Sequence, residues 1–183
     1  MMVHHLVLGE LEDFLTGQKI EDNHDERLRQ KSVRFLVEKK QYAKKNISGP
    51  VKLPVRAGKK KAIVRVDYVV RLFEKTCMLV KYGPGSLVTR RRPALAASRL
   101  LEPYQIPLVV VTNGIDAEIM DGLSGKILGK CFDDIPSESE LREKFDFFDF
   151  KAIPSDRARL ESRIVYAYEV DDACPCDDTI CRI

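Results

Sequence analysis

Asp67 and Lys81 are the residues whose types and spacing first suggest chemistry, fourteen positions apart in the chain. Asp67 interrupts the apolar stretch AIVRVDYVVRLF at 62–73, and Lys81 closes the shorter run LVK at 79–81. Stretches rich in β-branched and aromatic residues favour strands. The pattern therefore predicts two neighbouring strands, with an acid on the first and a lysine near the end of the second. A carboxylate can hold Mg²⁺ through its oxygens, and a nearby lysine can stabilise charge that develops on a phosphate.

The elements needed to position such a pair can be read in order. Leu11, Phe14 and Leu15 fall at helical spacing and predict a short helix within 9–18, followed by a polar loop at 20–24. Asn23 or Asp25 can cap a longer helix reaching about Lys45, with Asp25 and Glu26 complementing its dipole and Arg34 paired with Glu38. Alternation around Pro54 predicts an edge strand at 51–55. A basic turn then leads into one long strand carrying Asp67, which forms an antiparallel hairpin with 77–82. Pro93 suits the first turn of a helix over 94–101, and 108–111 reads as a buried strand. Asn113-Gly114 marks a turn before strands at 115–120 and 127–131. Ser137 with Glu140 forms a capping box for a helix to Lys144. Phe145, Phe147, Phe148 and Phe150 read as a core cluster, and a last helix runs from Asp156 to about Tyr168. Strand, strand, helix, strand is a small α/β layered unit.

Of the 183 residues 44% are hydrophobic, enough for a core, and 32% are charged, which argues for a soluble protein. No apolar run reaches the roughly 18 residues of a membrane span, and the opening stretch does not read as a signal peptide. Five cysteines with no export signal point to a reducing cytoplasm. The net charge of +3 conceals an asymmetry: 1–26 sums to −6, 27–99 to +18 and 100–183 to −9. A basic centre between acidic ends is expected of a polyanion-binding surface, or of lysines and arginines satisfied by those ends. Candidate phosphate contacts are Lys59, Lys60 and Lys61 in the basic turn, Arg65 beside Asp67, and Arg90, Arg91 and Arg92. Ser86 joins them from the loop Gly83-Pro84-Gly85-Ser86, which lacks the Gly-Lys-Ser/Thr ending of a Walker loop. Cys174, Cys176 and Cys181, with Cys131 as a fourth, offer thiolates for a structural zinc; exposed tail cysteines are the alternative.

Four segments carry a resemblance: DERLRQ at 25–30, RFLVEKKQY at 34–42, RVDYVV at 65–70 and PLVVVTNGIDAEI at 107–119. Together they resemble the N-terminal nuclease domain of type I restriction enzyme R subunits, of the PD-(D/E)XK superfamily, over roughly 8–130. The resemblance implies a restriction-endonuclease-like α/β/α core with a mixed central sheet at 25–131. An N-terminal segment (1–24), a helical appendage (132–169) and a Cys-rich tail (170–183) would complete the chain. It also implies Asp67 as the Mg²⁺-binding acid, Lys81 as the catalytic lysine and Glu26 as the helix acid. Two departures stand out. The Glu of the family's Glu-x-Lys would fall at Leu79, and the Gln and Tyr of its following helix fall near Pro93 and Ala97.

Three readings follow. One is a stand-alone domain that binds nucleic acid, expected to be DNA, with impaired or lost cleavage. The second is an active Mg²⁺-dependent endonuclease with a rearranged ligand set. The third is a structural domain that binds a protein partner or a second copy of itself.

Overall fold

The computed structural model describes residues 7–171 and 181–182. Strands β1 (Gly9–Glu12) and β2 (Lys19–Asp22) form a hairpin where helical spacing and a polar loop are expected. The reason is local. Asp13 Oδ1 accepts from the backbone N–H of Leu15 and Thr16, and Gly17 takes a φ of 72°, so the chain turns before a helix can propagate.

Helix α1 (His24–Glu38) is capped by Asn23, whose side chain accepts from the Glu26 N–H. It ends seven residues before the expected Lys45, and Lys44–Asn46 forms only a 3₁₀ turn. Strand β3 (Ile47–Ser48) follows, then β4 (Val51–Ala57) and β5 (Lys60–Val66). The long strand expected through Asp67 is broken there: β6 (Tyr68–Leu72) is a separate strand in a different sheet. After β7 (Lys75–Tyr82), helix α2 begins at Leu87 and runs to Ser98, so Pro93 lies inside it rather than in its first turn. Strands β8 (Leu108–Thr112), β9 (Ala117–Asp121) and β10 (Ile127–Gly129) match the expected positions. Helix α3 (Glu138–Glu143) carries the expected Ser137/Glu140 capping box. Helix α4 (Ser155–Tyr166) continues into a π-helical turn at Ala167–Asp171, and β11 (Cys181–Arg182) closes the described chain.

The central sheet has six strands in the order β10-β9-β8-β7-β6-β3. Only β7 and β8 are parallel, joined through α2, so the sheet is mixed. One face packs Val70, Met78, Val80 and Val110 with Val33 and Leu36 of α1. The other packs Val69, Leu79, Val109 and Val111 with α2, with the inner face of the smaller sheet β11-β5-β4, and with Val165, Tyr166 and Val170. The C-terminal segment that reads as an appendage is therefore part of both cores: Ile135 and Leu141 join the first, Val165 and Tyr166 the second. Of the four phenylalanines at 145–150, three pack against the first core, while Phe147 is 85% exposed.

The β3–β4 connection runs against the break at Asp67. A Cβ on Gly49 would stand 1.9 Å from the Asp67 carbonyl oxygen, so this approach requires glycine. Gly49→Ala is expected to cost about 2–3 kcal/mol, the scale of overpacking a rigid interior. Urea denaturation beside Gly58→Ala checks it, because Gly58 has nothing within 4 Å and tests only the turn.

Candidate functional site

The candidate site lies where α1 begins and β7 ends. Helical spacing puts Glu26, Arg29, Gln30 and Val33 along one side of α1. The first three are polar, yet Glu26 and Gln30 are buried, so that end of the helix packs through hydrogen bonds rather than apolar contact. Gln30 Nε2 donates to Glu26 Oε1 at 3.0 Å and to Asp13 Oδ2 at 2.8 Å, and its Oε1 accepts from the Phe14 N–H. This one amide ties the β1–β2 hairpin to the helix.

Asp67, 2% exposed, has both carboxylate oxygens occupied. Arg29 Nε donates to Oδ1 at 2.9 Å, and the Tyr82 N–H donates to Oδ2 at 2.8 Å. Arg65 Nε lies 3.8 Å from Oδ1. Glu26 Oε2 lies 3.4 Å from Arg29 Nη1 and 3.5 Å from Arg65 Nη2. Two acids and two arginines thus form one closed, part-buried cluster. Burial works against the Arg29 charge, but Asp67, Glu26 and Asp25 together hold its pKa above the ordinary arginine value. The Tyr82 hydroxyl donates to Asp25 Oδ1 at 2.9 Å; burial first, then this bond, pushes its pKa upward.

Tyr68 pairs with Val80, so Asp67 and Lys81 leave the β6–β7 ladder at the same end. Lys81 Nζ donates to the Arg65 carbonyl at 2.8 Å and to Glu169 Oε2 at 2.7 Å. Glu169 sits on the π-helical turn after α4. Sequence reasoning missed it, because 88 residues separate it from Lys81 and no periodicity connects them. Arg29 is different: it sits three residues after Glu26 on a helix, a spacing that brings side chains together.

The other candidates separate into two groups. Arg91 forks onto Glu118 of β9, Nε to Oε2 and Nη2 to Oε1, each at 2.5 Å. Arg92 lies 2.6 Å from Glu161, which is fully buried and also bound by Arg99 and Arg157. Arg90 donates to the Pro84 carbonyl and braces the glycine loop. Arg65, Arg91 and Arg92 therefore all make intramolecular ion pairs. Lys59, Lys60, Lys61 and Ser86 are exposed, with Lys60 Nζ 5.8 Å from the centre of the Tyr166 ring. Ser86 is the N-cap residue of α2 but makes no capping hydrogen bond through its side chain.

Mg²⁺ favours near-octahedral oxygen ligands. Here Asp67 has both oxygens committed, Glu26 faces two arginines and an amide, and Leu79 is fully buried in apolar core. Among the described residues, no group of three or more His, Cys, Asp or Glu is placed to hold a metal ion. The present arrangement does not fit Mg²⁺. Cys174, Cys176 and the Cys181 side chain lie outside the described residues; Cys131 is exposed.

Helices on both faces of a six-stranded mixed sheet, with Asp67 at the β5–β6 break and Lys81 near the end of β7, match a restriction-endonuclease-like fold. Residues 24–136 match the type I restriction enzyme R protein N terminus (HSDR_N), and the chain belongs to that family. No curated protein and no solved structure matches it. The match ends before α3, so α4 and Glu169 lie beyond it. Among the described residues no helix is long and apolar enough to cross a membrane.

Two measurements check these ion pairs. Asp67→Ala would leave Arg29 and the Tyr82 N–H without their acceptor and is expected to cost about 3–5 kcal/mol. Asp67→Asn, which keeps an acceptor, should cost less in the same urea titration. For Glu161, burial raises the carboxyl pKa, but Arg92, Arg157 and Arg99 reverse this and leave it lowered. A lowered folded-state value means the unfolded chain binds more protons as pH falls. The pair's contribution is then fully present above about pH 4.3 and lost as pH drops through the folded value. Glu161→Gln should flatten the dependence of Tm on pH below about 4.3, and an unchanged slope would refute the assignment.

Proposed function

We propose that this chain is a nucleic-acid-binding domain, acting on DNA, built on a nuclease fold whose metal-dependent cleavage is impaired or lost. One observation carries the reading: the charges that cleavage would use are already neutralised inside the protein. Asp67 is held by Arg29 and a backbone N–H, and Lys81 is held by Glu169. The missing carboxylate position, Leu79, is fully buried in an apolar core that includes Val165, Tyr166 and Val170. A carboxylate there would have to be desolvated, and Lys81, next on the same face of β7, is already held by Glu169. The basic centre of the chain supports nucleic-acid binding, and the family supports DNA. The free thiols of Cys77 and Cys131 suit a reducing cytoplasm.

A second reading also has an observation behind it. Arg65, Arg91 and Arg92 all pair with acids of the same chain. This favours a structural domain that binds a protein partner through other surfaces.

Incubating the protein with plasmid and single-stranded DNA, with and without Mg²⁺ or Mn²⁺, separates these readings. Asp67→Ala and Lys81→Ala serve as controls. The expected result is salt-sensitive binding and no metal-dependent cutting. Cutting that disappears in both variants would establish an active endonuclease with a rearranged ligand set. Absence of DNA binding even at low salt would leave the protein-partner reading.

A further inference from the structure

We infer that the groove between the β4–β5 hairpin and α4 is a binding surface for the phosphate backbone of duplex DNA. The inference rests on the nucleic-acid reading above and gives it a location away from the Asp67 cluster.

The hairpin spans 51–66 and contains Lys52, Arg56, Lys59, Lys60, Lys61 and Arg65, with no acid. Its register puts Lys52 directly across from Arg65 and Arg56 directly across from Lys61. Like charges directly opposite each other destabilise a sheet. The first pair is relieved at Arg65 by Glu26 and Asp67. The second has no such relief: among the described residues no acid pairs with Arg56 or Lys61.

Helix α4 runs along the edge of β4, where the Arg56 N–H donates to Ser162 Oγ at 2.6 Å. Its exposed Arg159 and Arg163 line the same groove as Arg56, Lys60 and Lys61, with Asp156 the one acid lining it among the described residues. Asp156 pairs with Arg159, and among the described residues no acid pairs with Arg163. Arg56, Lys61 and Arg163 thus give the groove exposed positive charge. Elsewhere the cations Arg29, Lys81, Arg91, Arg92 and Arg99 are paired.

Among the described residues no aromatic side chain lines the groove. Single strands are held by bases stacking on aromatic rings, whereas a duplex offers phosphates alone to a groove of lysines and arginines. The lining therefore favours duplex over single-stranded nucleic acid, and it makes no provision for reading base edges.

The test compares two variants that each remove two exposed positive charges. Arg56→Ala/Arg163→Ala lies in the groove, and Lys126→Ala/Lys130→Ala lies outside it. Arg56 holds α4 through its backbone N–H, so Arg56→Ala leaves that bond in place. Affinity for a labelled 20-base-pair duplex (about two helical turns) is measured across a salt series, with melting curves confirming that each variant is folded. The groove variant should bind about 10- to 100-fold more weakly, and its slope of log K against log salt should fall by about 2. The control should change less than about 3-fold, since it keeps every groove contact. Equal weakening of both variants would overturn the groove while leaving the nucleic-acid reading intact. Absence of duplex binding by the unaltered protein at low salt would overturn both. Tighter binding of a dT oligonucleotide than of the duplex would overturn the duplex assignment alone.

Discussion

A carboxylate removed from water has to meet a positive charge or several hydrogen-bond donors, and Asp67 meets both. Arg29 reaches it from α1, and the Tyr82 N–H reaches it from the end of β7. Asp67 also stands where the chain leaves the small sheet for the large one, between β5 and β6. Helix, hairpin and both sheets therefore converge on one buried side chain. Gly49 completes the arrangement by allowing a neighbouring loop to lie against the Asp67 carbonyl. A pairing of this kind adds little net stability, but losing one partner is costly because it strands the other. The site is for that reason a constraint on how the elements can be assembled.

The same logic governs the other charges. The basic centre of the chain is not one surface. Much of it is matched by acids from outside that centre: Glu26 in α1, Glu118 in β9, Glu161 in α4 and Glu169 after it. Glu161 is fully buried and draws in three arginines, so α4 is fastened to α2 electrostatically as well as by Val165 and Tyr166. Cations outside these pairs include Arg56 and Lys61 on the β4–β5 hairpin and Arg163 on the facing side of α4.

The C-terminal segment supplies part of the second core. The matched span stops at 136, and the residues that close over the second face of the sheet come later. Val165, Tyr166 and Val170 share the core that holds Leu79, and Glu169 neutralises Lys81. Leu79 is fully buried and apolar, and Lys81 meets Glu169 beside the same core.

The sequence by itself determined the class of fold, because strand periodicity, the helix between β7 and β8, and the capping residues Asn23 and Ser137 are local signals. It also determined that Asp67 and Lys81 share one end of a hairpin, since β6 and β7 are joined by a short turn. It carried a signal for Arg29 in the three-residue step from Glu26. Other features had no local signature. The hairpin at 9–22 has helical spacing and turns only because Asp13 bonds the backbone beyond it. The break at Asp67 interrupts a continuous strand pattern, because a buried acid follows its partners rather than its propensity. Pro93 sits within α2, where tertiary packing outweighs its preference for a first turn. Only the tertiary structure decided which cations are spent. Arg91, Arg92 and Lys81 meet Glu118, Glu161 and Glu169 across separations of 27, 69 and 88 residues, and long-range charge pairing leaves no trace in the composition or spacing of a single chain.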